Sequence, residues 1–109
     1  MSLEYTSLSE AREIIQANEK VILLNSGPGC KQCDKAERAL MSAKDQLLGV
    51  MLIKINTTDS AELLVEFGIR ANGSLTFIKG GVKQTSLITD RMEDVLNMYR
   101  LHFVSQTNN

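Results

Sequence analysis

The apolar positions of the chain alternate between short unbroken runs and stripes at helical spacing. Leu8, Ala11, Ile14 and Ile15 recur at three- and four-residue steps around Ser7-Leu8-Ser9-Glu10, a capping-box pattern, which predicts a first helix over residues 8–18. Residues 3–6 are expected to add a short strand before it. Val21-Ile22-Leu23-Leu24 is a solid apolar run of strand length and fits a central strand covered on both faces. Asn25 to Gly29 then breaks the pattern as a loop. From Lys31 onward, Cys33, Ala36, Leu40, Ala43 and Leu47 form one stripe, so a second helix is expected to bury that face. Asp34, Lys35, Glu37 and Arg38 are assigned to its wet side.

Val50 to Ile55 reads as another buried strand. Thr58 or Asp59 is expected to cap a short helix carrying Ala61, Leu64 and Val65 and closed by Gly68. Ser74 to Ile78, the Gly80-Gly81 turn and Val82 to Ile88 predict a hairpin whose polar second arm suits a sheet edge. A last helix after Thr89-Asp90 presents Met92, Val95, Leu96, Tyr99 and Phe103 on one face, and Ser105 to Asn109 is expected to fray. Met51, Met92 and Met98 are assigned to packing, and His102 to a solvated or partly packed face. Strand and helix alternate before a final hairpin and helix, which predicts a three-layer α/β/α domain around a mixed sheet.

Length and charge narrow the function. At 109 residues the chain suits one domain, residues 1–109, able to bury a core without disulfide staples. A formal net charge of -1, from 12 Lys and Arg against 13 Asp and Glu, provides no basic footprint for nucleic acid or an anionic membrane. The start MSLEYTSLSEAREIIQ has neither the basic region nor the apolar core of a signal peptide, and no run approaches membrane-spanning length. The expected compartment is the cytoplasm, where a close cysteine pair is more often catalytic or metal-binding than a structural bridge.

That pair lies in NSGPGCKQCDKAER, residues 25–38, where a strand gives way to a helix. Cys30 is placed at the helix tip, beside unpaired backbone N–H groups and the positive end of the dipole, an environment that favours thiolate. Lys31 reinforces this and Asp34 opposes it. Cys33, one turn on and on the apolar stripe, is close enough to resolve a mixed disulfide formed at Cys30. The same motif also fits two buried cysteines or half of a zinc site. Zinc needs about four ligands, and beyond the pair the chain has one histidine, His102, on the predicted last helix. The strand–loop–CxxC–helix setting favours redox chemistry, with no cofactor and no metal.

With these elements in place the chain resembles the thioredoxin family over nearly its whole length. KINTTDSAELLVEFGIRANGSLTFIKGG, residues 54–81, is similar without gaps to the family segment running from a lysine-bearing strand through GIR to the glycine turn. Lys54 falls on the family's active-site lysine, Gly68-Ile69-Arg70 on GIR and Gly81 on the late glycine. The resemblance implies a thioredoxin fold with a central mixed sheet of four to five strands and four helices.

Four departures alter what it implies. Gly29 stands where the family has a tryptophan, so the apolar lip that partners pack against is expected to be smaller. The segment between the cysteines is Lys31-Gln32: losing the family's proline is expected to loosen the helix start, and the added Lys31 to favour thiolate and hence a less reducing couple. Leu24 takes the place of the buried aspartate, leaving Lys54 without a buried carboxylate and with the reduced thiolate as its expected anion. Gly73 replaces the cis-proline facing the cysteines; a cis bond there would cost about 2.5–4 kcal/mol, so Asn72-Gly73 is expected to be trans, in a reshaped loop. Losing that proline is also expected to open space over the sulfurs, in which a metal or iron–sulfur cluster shared between two chains could fit.

By resemblance, then, the protein reduces protein disulfides, with Cys30 as nucleophile, Cys33 as resolving thiol and Lys54 tuning their charge. Gly29, Asn72, Gly73 and Ser74 are the expected substrate-binding residues, although Asn72-Gly73 also suits a plain turn. The implied electron donor is a thioredoxin reductase or glutathione, and the implied state is a monomer. The competing reading is a binding or redox-sensing module of the same fold without general reductase activity.

Overall fold

A computed structural model of the chain describes residues 3–104, and its core is organised by one strand. β1, Lys20–Ser26, is buried from Val21 onward. Successive side chains of a strand point to opposite faces. Ile22 and Leu24 join one apolar cluster, while Val21 and Leu23 join the other. β1 pairs in parallel with β2, Met51–Asn56, and antiparallel with β3, Leu75–Lys79, which in turn pairs antiparallel with β4, Val82–Leu87. The order β2-β1-β3-β4 makes a four-stranded mixed sheet. Residues 3–6 contribute only one bridge, Tyr5 beside Lys54, anchored by a 2.7 Å bond from Thr6 N–H to the Lys54 carbonyl.

Helices cover both faces. α1, Leu8–Ala17, starts with the expected capping box, in which Ser7 Oγ accepts from the Glu10 N–H at 3.2 Å. It ends one residue earlier than its pattern predicts, with Asn18 Nδ2 donating to the Ile14 carbonyl at 2.9 Å. α2, Lys31–Ala43, buries Cys33, Ala36, Leu40 and Ala43 as the stripe predicts, but also Glu37. α3, Ala61–Glu66, follows Ser60, which makes no side-chain cap; Asn56 Oδ1 instead receives the N–H groups of Thr58 and Asp59, forming a turn. α3 buries Leu63, whereas Val65 is 82% exposed, so its inner face is rotated from the expected one. Gly68 closes it at φ +63°. Arg12 ties α1 to α3 through Glu66 at 2.6 Å and Glu62 at 3.6 Å, and its pKa is raised, chiefly by the Glu66 hydrogen bond.

α4, Met92–Tyr99, runs into one wider π turn over Arg100–Val104. That turn keeps Phe103 fully buried, 5.4 Å from the Phe77 ring and edge-on to Tyr99 at 6.4 Å. Met92 and Met98 pack at the margin of this cluster, while Met51 is exposed on the outer strand. α2 and α4 therefore lie on one face of the sheet, α1 and α3 on the other. The expected Ser105 to Asn109 tail lies outside the described residues.

Candidate redox site

β1 ends at Ser26, and the chain turns through Gly27, Pro28 and Gly29 to reach α2. Gly29 has φ +71°, a left-handed conformation that disfavours side chains, with nothing within 4 Å of where a Cβ would be. Glycine there answers a backbone need, not a steric one. Cys30 is the N-cap of α2, and its Sγ accepts from the Cys33 N–H at 3.1 Å. The two sulfurs are bonded, with Cα atoms 5.2 Å apart. Cys33 is buried and Cys30 half-buried, so Cys30 is open to solvent while Cys33 is shielded. Cys33 Sγ lies 3.9 Å from the Asn25 carbonyl oxygen, within reach of an S–H donated from the reduced residue.

Opposite the cysteines stands Gly73, at φ +82° and buried. Its peptide is trans, and its N–H donates to the Asn25 carbonyl at 2.9 Å. The space that a side chain at position 73 would need is filled. A Cβ on Gly73 would meet Gln32 Cγ at 2.9 Å, Cys33 N at 3.1 Å and the Gln32 carbonyl carbon at 3.2 Å. With glycine at 73 the Gln32–Cys33 peptide and the Gln32 side chain pack directly against the loop, leaving no void that would forfeit dispersion contacts. Gln32 Nε2 also donates to the Thr89 carbonyl at 3.3 Å.

Asn72 is exposed, and its Oδ1 accepts from Thr57 Oγ1 at 3.1 Å. Ser74, expected on the binding face, is buried and turned inward; its Oγ lies 2.7 Å from Asn25 Oδ1 and 2.9 Å from the Ala71 carbonyl. Asn25 Nδ2 donates to that same carbonyl at 2.8 Å, so Asn25 and Ser74 brace the 71–74 loop from beneath. Asn25 is a site residue that pattern reading missed. Polar and buried in a strand otherwise apolar up to Leu24, it stood out only by its placement.

Lys54 corrects the expectation that it lacks a carboxylate. Its register partner on β1 is Leu24, on the α2 side of the sheet, and its Nζ meets Glu37 Oε1 at 3.1 Å. The ammonium also sits 4.4 Å from the centroid of the Tyr5 ring, and Glu37 Oε2 accepts from the Leu3 N–H at 2.7 Å. A carboxylate from α2 thus stands in for the family aspartate missing at Leu24. The available signal was position: Glu37 is four residues after Cys33, on the same helix face and next to Ala36. Among the described residues no group of three or more His, Cys, Asp or Glu side chains converges as a metal site.

Comparison with known proteins agrees with this architecture. The oxidised thioredoxin of Plasmodium falciparum superposes with a TM-score of 0.79 at 19% identity, covering 93% of this chain and 98% of that one. Thioredoxin f2 of Chlamydomonas reinhardtii gives 0.78 at 13% identity over 94% and 97% of the two chains. Oxidised mitochondrial thioredoxin 3 of Saccharomyces cerevisiae gives 0.75 at 18%, over 91% and 93%. At such identities the likeness speaks for the fold alone. No curated protein matches the chain. The thioredoxin family model, however, matches residues 3–100, nearly everything described above, and the chain belongs to the thioredoxin family.

Proposed function

We propose that the protein is a thiol–disulfide oxidoreductase that reduces protein disulfides through Cys30 and Cys33. The observation that carries this reading is the unequal pair: a half-buried Cys30 at the tip of α2, its sulfur receiving an N–H, bonded to a shielded Cys33. An N–H aimed at the sulfur favours the thiolate over the thiol. The Cys30 thiolate attacks one sulfur of a substrate disulfide and expels the other as a thiolate, which takes a proton from water. Cys33, deprotonated, then attacks Cys30 Sγ in the mixed disulfide. The Cys30–Cys33 bond forms, the second substrate thiol leaves, and two electrons have passed to the substrate. The bonded pair described above is the product state of that half-cycle.

A thioredoxin reductase or glutathione returns the electrons, in a reducing compartment such as the cytoplasm, with the protein acting as a monomer. The lip beside Cys30 carries no apolar side chain at Gly29, and Asn72 on the loop that holds Gly73 is exposed and polar. Substrates are therefore held more by hydrogen bonds than by an apolar pocket. Lys54 acts on the site as one half of its pair with Glu37 and not as a free cation.

The test is the steady-state reduction of a generic protein disulfide with dithiothreitol as electron source, beside Cys30→Ser and Cys33→Ser. Turnover well above background that disappears in Cys30→Ser is the expected result. Background turnover with both thiols free and titratable would reject general reductase activity.

A further inference from the structure

The Gln32–Cys33 peptide supplies the N–H that points at Cys30 Sγ, at 3.1 Å, so whatever fixes that peptide fixes the sulfur's hydrogen bond. It is held from two directions. Gly73 lies against it so closely that a Cβ would come within 3.1 Å of the Cys33 nitrogen and 3.2 Å of the Gln32 carbonyl carbon. From the side, Gln32 Nε2 donates to the Thr89 carbonyl at 3.3 Å. Thr89 is itself immobilised, its hydroxyl accepting from the Arg91 N–H at 3.0 Å and donating to Asp94 Oδ2 at 2.6 Å on α4.

We propose that Gln32 is a positioning residue: its side chain clamps the Gln32–Cys33 peptide between Gly73 and the Thr89 loop and so aims the Cys33 N–H at the Cys30 thiolate. Gly73 and Gln32 form a matched pair, because the glutamine's Cγ occupies the space that any side chain at 73 would need. A short residue at 32 leaves the peptide held by Gly73 alone. An apolar residue of the same length keeps the packing but loses the tether to Thr89. The inference rests on the proposed function only in taking Cys30 as the attacking sulfur.

The experiment is the pH profile of iodoacetamide alkylation of reduced Cys30 in a Cys33→Ser background, where it is the single thiol, with Gln32, Gln32→Ala and Gln32→Met compared. Lys31, Asp34 and Glu37 on α2, Lys54 on β2, and Arg70, Asp90 and Arg91 in the loops all stay the same across the series. The expected result is that the alkylation midpoint moves upward by about 0.5 to 1 pH unit in both variants, the size of one modest hydrogen bond. Gln32→Met fills the same space, so it remains informative if Gln32→Ala does not fold. A Gln32→Met profile that superimposes on that of Gln32 would overturn the proposal. Reductase turnover plays no part in this readout: a protein with no turnover whose midpoint still moves would reject the proposed function and leave the clamp standing.

Discussion

Glu37 Oε1 and Lys54 Nζ meet 3.1 Å apart between α2 and β2, with only 11% and 12% of their side chains exposed. The pair is held in place by the Leu3 N–H on the other carboxylate oxygen and the Tyr5 ring by the ammonium. Removing one member of such a pair strands a desolvated charge, whereas removing both leaves only a packing change. Glu37→Leu and Lys54→Met should each cost about 3 kcal/mol of unfolding free energy. The double variant Glu37→Leu/Lys54→Met should cost clearly less than the sum of the single losses, as expected for coupled neighbours. Urea unfolding of the four proteins checks this; strictly additive losses would show that the pair is not coupled.

The same pairing changes what Lys54 does to the thiol. Alone, a lysine on this side of the sheet would favour the Cys30 thiolate, but here its charge is offset by a carboxylate on the helix that carries the cysteines. Lys54→Met uncovers that carboxylate, which disfavours a second negative charge nearby. The Cys30 titration should therefore move upward in Lys54→Met and return toward the parent value in Glu37→Leu/Lys54→Met. Alkylation rate against pH measures both, and a double variant as displaced as the single one would exclude this account.

What local pattern can see, it saw: the Val21 to Leu24 run and the Cys33 to Leu47 stripe each bury as their period requires. α3 shows the limit of short periods. With six residues there are too few apolar points to fix the inner face, and Leu63 is buried while Val65 is not. The remaining misses are long-range. Period alone puts Glu37 on the wet side of α2, because nothing local announces a lysine arriving from β2. Loss of a proline at 73 reads as a vacancy, because nothing local links it to Gln32, which fills the space from another element. The tertiary partner decides each case, and the partner lies many residues away.

Restoring proline at 73 should damage this protein. Proline fixes φ near −65° and has no N–H, whereas Gly73 sits at +82° and donates to Asn25. Gly73→Pro should lose about 3 kcal/mol or more, with reductase turnover falling alongside. Gly73→Ala combines the left-handed strain with the close approach to Cys33 N and should cost more than Gly29→Ala. At Gly29 the surroundings are open, and the backbone term alone should cost about 1–2 kcal/mol. Chemical denaturation of the three variants gives the order, and Gly73→Pro at or above parent stability would contradict the geometry.

The unequal exposure of the two cysteines makes a prediction about order of reaction. Cys30 is half-buried at a helix tip, whereas Cys33 is 1% exposed beneath Gly73 and Gln32, so a bulky disulfide can reach only the first sulfur. In Cys33→Ser the attack at Cys30 still occurs, but a serine hydroxyl cannot displace the substrate thiol, and the mixed disulfide accumulates. In Cys30→Ser the remaining thiol is shielded and should form little adduct. Intact-mass measurement after mixing each reduced variant with an activated aromatic disulfide counts the adducts directly. Stoichiometric adduct in Cys33→Ser and only slow adduct in Cys30→Ser is the expected result. Comparable rates in the two would mean that the loop over Cys33 opens readily, and the division of labour between the two sulfurs would no longer hold.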